Sequence, residues 1–226
     1  IRTLRVVVDN PVNVDALAAA AQASDQTLNI VIDVDPGIRR TGVPSPEAAV
    51  ALAKRISETP SLRLAGVQYY CGAQQHIESY ADRRAAIEDR TNYLKTVLEA
   101  LRGAGHPPNI VTGGGTGTHQ IDAELGVLTE LQTGSYVFMD KQYNDCDLDG
   151  QGRKAFETSL FVDAHVISAN STSMATIDAG FKALSTDGGL PVVMDGAPAG
   201  AMFVFMGDEH GPLIAPDHPF HIGDHV

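Results

Sequence analysis

Positive charge is scarce in this chain: 16 Lys and Arg stand against 28 Asp and Glu, a net charge of -12 over 226 residues. No basic stripe is available to release counterions from a phosphate backbone, which argues against nucleic acid as a partner. Long apolar runs are also missing. The longest fall far short of the roughly 20 residues of a membrane helix, so no membrane partner is expected. Cysteine is confined to Cys71 and Cys146. They form neither a metal-ligand spacing nor a disulfide framework, and predict reduced thiols in a cytoplasmic enzyme. Ile1-Arg2 leads directly into a strand-like run, so no signal peptide is expected. Both the P-loop and the dinucleotide fingerprint are absent, as are internal repeats and low-complexity tracts.

What is present centres on Asn109–Thr118, N-I-V-T-G-G-G-T-G-T. Ile110-Val111 reads as a short buried strand. Gly113–Gly115 and Thr116-Gly117-Thr118 then supply backbone N–H groups without side chains in the way, an anion-binding nest, with two hydroxyls beside it. Alone, this is a glycine-rich turn. A second strand, Glu130–Thr133, comes next and again ends in a glycine and a hydroxyl, Gly134-Ser135. Two successive strand ends of this kind match the phosphate site that (β/α)₈ barrels build after their last two strands.

The chain up to about residue 150 alternates strand and helix. Leu4–Asp9, Leu28–Asp35, Leu62–Tyr70, Ile110–Val111 and Glu130–Thr133 read as strands. Helices are expected over Val14–Ala21 with Asn13 as N-cap, from Ser45-Pro46-Glu47 to Ser57, and over Ile77–Leu101. This calls for a parallel sheet with helices outside, an α/β fold of the TIM-barrel type. A barrel needs about eight strands, so residues 1–150 read as the C-terminal part of one. Residues 151–226 read as a mostly β second domain, with segments at Ser159–Ala169, Met174–Ala179, Val192–Asp195 and Ala201–Met206. Gly223–Val226 resembles the entry to a further strand.

The motifs have a familiar order. Asp33–Gly42 (D-V-D-P-G-I-R-R-T-G) resembles a turn of the alanine-racemase-like barrel enzymes that use pyridoxal 5′-phosphate (PLP). Gly66–Tyr70 resembles their next strand. Thr112–Thr118 and Glu130–Asp140 resemble one branch more closely: D-threonine aldolase, D-3-hydroxyaspartate aldolase and D-serine dehydratase. Ser168–Ser171, Asp178–Ser185 and Asp208–Gly211 resemble the β domain of the aldolases.

The resemblance implies roles. Arg40 would sit beside the cofactor's phenolic oxygen and Tyr70 at its ring. Thr116, Gly117, Thr118, Gly134 and Ser135 would hold the phosphate. Gln132 stands where racemases carry an arginine against the pyridine nitrogen; an amide can donate or accept there, so the ring's protonation is open. A divalent metal (Mg, Mn or Zn) and a homodimer are implied as well. None of the five lysines, Lys54, Lys95, Lys141, Lys154 and Lys182, fits the Schiff-base position. The lysine is therefore expected upstream of Ile1 and the metal ligands after Val226, in a longer enzyme. The activity implied is aldol cleavage of a D-β-hydroxy amino acid. A dehydratase on the same scaffold and a non-catalytic PLP-binding protein are the alternatives.

Read without the resemblance, several residues have plainer roles. Arg40 would cap a turn and pair with Asp35. Tyr70 would be core. The cluster Asp217-His218, His221 and Asp224-His225 reads as a solvated edge, and Gln74, Gln75 and His76 as candidate specificity residues after a strand end.

Overall fold

The computed structural model describes residues 4–226. Ile1 and Arg2, expected to lead into the first strand, lie outside them. Two compact units are present. One comprises residues up to Tyr136 together with Cys146–Ala155; the other comprises Val137–Asp145 and Phe156–Val226.

The first unit is α/β. Strands β1 (Arg5–Val8), β2 (Leu28–Asp33), β3 (Leu62–Tyr69), β4 (Ile110–Gly113) and β5 (Glu130–Leu131) form one sheet. Its spatial order is the sequence order, and every neighbouring pair is parallel. Helices α1 (Pro11–Ala23), α2 (Pro46–Ser57), α3 (Tyr80–Gly103) and α4 (His119–Leu125) separate the strands. The continuous apolar run of β2 fits its burial, since Ile30, Val31 and Ile32 are all in the interior.

Helix starts obey local chemistry. In α2, Ser45 Oγ accepts from Ala48 N at 3.2 Å, Pro46 occupies the first helical position and Glu47 the first turn. The expected cap at Asn13 is wrong. Asn10 caps α1 by accepting from Val12 N at 2.9 Å, and Pro11 opens the helix three residues before the expected start at Val14. Proline lacks only an N–H that the first turn leaves unpaired in any case. Likewise α3 begins at Tyr80, not Ile77, because Ser79 caps it and a 3₁₀ turn, Gly72–Gln74, fills part of the gap.

The core lies between helices and sheet. Ala49, Leu52, Ala53 and Ile56 of α2 and Ile87, Leu94, Val97, Leu98 and Leu101 of α3 recur at helical spacing and pack with Ile30, Ile32, Val67 and Val111. Each large aliphatic side chain buried this way contributes about 1.5–3 kcal/mol.

The second unit carries an antiparallel sheet in the order β6 (Val166–Ser168), β7 (Met174–Ile177), β9 (Gly211–Ile214), β8 (Met202–Phe203). Val166, Ala175, Ile177, Phe203 and Leu213 form its core. One expected strand fails here, and one strand is unexpected. Val192–Asp195 is β-prone but finds no strand partner, with Val192 and Met194 exposed. Gly211–Ile214 is a strand that the sequence hides, because Gly-Pro reads as a turn. In β9, Pro212 is an acceptor only, taking Val204 N at 3.1 Å. The end of the chain is paired too, with His225 bridging His165 in antiparallel sense.

Candidate active site

Four strand ends of the first unit carry the residues of interest. After β2 the chain turns through Asp35-Pro36-Gly37. Asp35 Oδ1 accepts from Gly37 N at 2.8 Å and Arg39 N at 3.0 Å, so it shapes the turn itself. Arg40 is the residue this turn delivers. Its guanidinium carbon lies 5.3 Å from the centre of the Tyr70 ring, at the end of β3. The plainer reading of Arg40 as a partner of Asp35 gives way to this stacking.

The β4 end is a buried loop. Gly117 passes so close to Gln75 that a Cβ would come 1.9 Å from the Gln75 carbonyl oxygen, leaving room for glycine alone. Gln75, expected as a candidate specificity residue, is instead 1% exposed and holds this loop. Its amide donates to Thr118 Oγ1 at 3.0 Å and Cys71 O at 3.1 Å, and its Oε1 accepts from Gly117 N at 3.1 Å. No sequence signal marks it, beyond the need of a three-glycine loop for partners supplied from elsewhere.

Thr118 also turns inward. Its hydroxyl accepts from Gly115 N at 3.2 Å and from Gln75, and it bonds the Asp122 carboxyl. These partners turn the hydroxyl toward Gln75 and the loop's own backbone. Burial holds the Asp122 carboxyl above its ordinary value, against the opposing pull of the Thr118 hydroxyl and His119. Burial likewise pushes the Cys71 thiol up to about 12, so it is no nucleophile at neutral pH.

Thr116 links two strand ends. Its buried hydroxyl accepts from Tyr136 N at 3.0 Å, which draws the Gly134–Ser135 turn beside the β4 loop. Gly134 itself is open: a Cβ there would meet nothing within 4 Å. Ser135 begins a 3₁₀ turn, Ser135–Val137.

Gln132 sits two residues before Gly134. Its Nε2 donates to Gln68 Oε1 at 3.1 Å and to Thr112 Oγ1 at 3.0 Å. Gln68 Nε2 in turn donates to Asp33 Oδ1 at 3.2 Å. Asp33, Gln68 and Thr112 are register partners across β2, β3 and β4. Sequence reasoning singles out Gln132 but not the hydrogen bonds that link it to Gln68, Thr112 and, through Gln68, Asp33.

Arg40 with Tyr70, and Thr116 with Gly134 and Ser135, fit a phosphate-bearing aromatic cofactor on two observations. An arginine-covered ring stands at one strand end, and an unobstructed glycine stands at another, beside a hydroxyl-pinned loop. A divalent metal is not matched in this way: among the described residues no group of three His, Cys, Asp or Glu side chains could hold an ion. The histidines near the C-terminal end have other partners. His225 Nε2 is 2.7 Å from Asp163 Oδ1, and His218 Nε2 is 2.8 Å from Ser171 O.

Three of the five lysines have acidic partners of their own. Lys141 opens helix α5 (Lys141–Asn144) in the second unit and pairs with Asp145. Lys182 pairs with Glu209, and Lys54 with Glu58.

The family described as "Alanine racemase, N-terminal domain" matches residues 2–142. The chain belongs to that family. A serine dehydratase domain matches residues 159–226. A 3-hydroxy-D-aspartate aldolase of Paracoccus denitrificans (strain Pd 1222) is 36% identical over 98% of this chain and 58% of its own length. A D-threonine aldolase of Arthrobacter sp is 35% identical over 92% of this chain and 54% of its own. The crystal structure of D-threonine aldolase from Filomicrobium marinum superposes with a TM-score of 0.92 at 34% identity, covering 98% of this chain and 60% of that one. This member of the alanine racemase family thus spans little more than half the length of the curated relatives it matches. Among the described residues, no helix is long and apolar enough to cross a membrane.

Proposed function

We propose that the protein is a PLP-dependent carbon–carbon lyase, an aldolase that cleaves a D-configured β-hydroxy amino acid to glycine and an aldehyde. D-Threonine and D-3-hydroxyaspartate are the substrate types. The observation that carries the reading is that the Arg40, Gly117 and Gly134 strand ends all fall inside the stretch aligned with named aldolases over 98% of the chain. Residues 1–150 would supply this part of a PLP-binding barrel and residues 151–226 a β domain.

The cofactor, when bound, supplies an electron sink for the charge left on Cα once the bond to Cβ breaks. The chain's own residues bind and orient. Gly134 and Ser135, pinned by Thr116, would hold the phosphate through backbone N–H groups and a hydroxyl. Gly117 and Thr118 would set the loop behind it. Tyr70 and Arg40 would fix the ring, the guanidinium stacked over the tyrosine and reaching the phenolic oxygen. Gln132 would meet the pyridine nitrogen.

The serine dehydratase domain matched at residues 159–226 favours one second reading, elimination of the β-hydroxyl to an oxo acid and ammonia. The experiment is to give the full-length protein with PLP each of the two D-amino acids and measure products. Glycine and an equivalent of aldehyde support the aldolase. Ammonia and an oxo acid in their place make it a dehydratase, and no turnover of either substrate removes both. A homodimer in the cytoplasm is the assembly we infer from the resemblance; a monomeric mass by light scattering would refute the dimer.

A further inference from the structure

We propose that Asp33 and Gln68 are positioning residues that turn Gln132 into a pure hydrogen-bond acceptor toward the cofactor ring, so that PLP held at these strand ends carries a proton on its pyridine nitrogen. The inference rests on the cofactor reading above and answers what that reading leaves open, the direction of the Gln132 amide.

A glutamine amide is ambiguous by itself, because its oxygen and nitrogen ends are nearly the same shape. Here the ambiguity is removed from a distance. A carboxylate offers acceptors only. Asp33, 6% exposed on β2, therefore takes the NH₂ end of Gln68, at 3.2 Å. That choice turns Gln68 Oε1 toward Gln132, which must answer with its own NH₂ end, at 3.1 Å. The second N–H of Gln132 goes to Thr112 Oγ1 at 3.0 Å. Both donors are then used. The free end of Gln132 is Oε1, which takes no bond from the described residues.

The free end also lies where a ring would be. A cofactor whose phosphate sits at Gly134–Ser135 on the β5 side and whose ring meets Tyr70 at the β3 end must place the ring between those two strand ends. Gln68 and Gln132 belong to those same two ends. A ring nitrogen reached by Oε1 can hydrogen-bond only if it carries the hydrogen. A guanidinium at residue 132 would impose the opposite state, since it has donors only. A protonated ring withdraws more charge from Cα, which suits a reaction that leaves the bonding electron pair there.

The test reads the nitrogen directly. The full-length protein is loaded with PLP labelled with ¹⁵N in the ring, and the ¹⁵N resonance of the bound cofactor is recorded at neutral pH. We expect the upfield position of a pyridinium. Asp33→Asn gives Gln68 a partner that can also donate, lets the chain of amides reverse, and should move the resonance toward the free-base position. Asp33→Asn combined with Gln132→Glu runs the chain in the reversed sense with an acceptor-only group at residue 132, and should restore the pyridinium signal. Should Asp33→Asn not fold, Gln132→Arg at its exposed site should give the free-base position alone.

A free-base resonance in the unmodified holoenzyme overturns the proposal while leaving PLP binding intact. So does a pyridinium resonance unmoved by both Asp33→Asn and Gln132→Arg. Failure of the unmodified protein to retain the labelled cofactor removes the PLP reading itself, and the proposal with it.

Discussion

The guanidinium carbon of Arg40 lies 5.3 Å from the centre of the Tyr70 ring, across two strand ends thirty residues apart in sequence. A guanidinium is flat and stacks; an ammonium is a point charge on a flexible stem. Arg40→Lys should therefore act as a non-conservative change. The stacking is worth about 0.5–1 kcal/mol at an exposed position, so PLP affinity should fall a few-fold and the absorption of the bound cofactor should shift. Titration of the full-length variant with PLP checks this. Unchanged affinity and spectrum would take Arg40 out of the site.

Gly134 and Ser135 should separate cleanly. A Cβ at Gly134 meets nothing within 4 Å, so Gly134→Val should leave the melting temperature where it is while its side chain fills the space proposed for the phosphate. PLP binding should then fall by well over an order of magnitude. Ser135→Ala removes one donor among several, about 0.5–1.5 kcal/mol, and should cost roughly tenfold at most. Equal PLP affinity for Gly134→Val and the unmodified protein would place the phosphate elsewhere.

Gln75 makes the opposite prediction, one of stability. Gln75→Leu would orphan Gly117 N–H, remove one of the two donors to the Thr118 hydroxyl, and leave Cys71 O with Gln74 N as its remaining donor. A buried orphaned group costs about 1–3 kcal/mol. Thermal or urea unfolding should show a loss of at least this size, with Gln75→Glu less damaging than Gln75→Leu at low pH, where the protonated acid can still donate once. A variant as stable as the parent would mean the loop does not depend on this side chain.

Asp122 sets a pH dependence. Burial raises its carboxyl above the ordinary value of 3.8. The native state therefore holds the proton to higher pH than the unfolded chain does. Stability from this group is present below the unfolded value and is lost as pH rises through the raised one. Asp122→Asn removes that loss. The variant should gain on the parent as pH goes from about 4 toward 7, read as the difference in melting temperature at each pH. A difference that narrows on the alkaline side would reverse the assignment.

Much of the first unit is legible in the sequence because local signals agree. Ser45-Pro46-Glu47 marks its helix start, and the apolar run of β2 marks its burial on both faces. Asn10-Pro11 both follows the end of a strand and opens a helix, and reading only the first of these moves the helix start to Val14. In the second unit the strands are short and their partners distant. Val192–Asp195 has the propensity without a neighbour, while Pro212 has a neighbour despite its propensity. The candidate site divides similarly. Arg40, Tyr70, Gly117 and Gly134 stand in motifs that announce backbone and charge requirements. The fixed orientation of Gln132 depends on Asp33, ninety-nine residues earlier, through a side chain of β3, and no local pattern encodes such a link.

The pairing of β2 with β3 contains one irregularity: Ile30 stands opposite Leu64, but Val31 stands opposite Gly66, so Ala65 is passed over. Counted without that skip, Asp33 would face Val67 rather than Gln68. The carboxylate would then look onto a branched hydrocarbon, and the amides of Gln68 and Gln132 would lose the one group that tells them which way to point. A single surplus alanine thus works as a phase setting. Upstream of it the strands are aligned for packing oil against oil; downstream the same two strands are offset by one step, and that step lets polarity be read across the sheet.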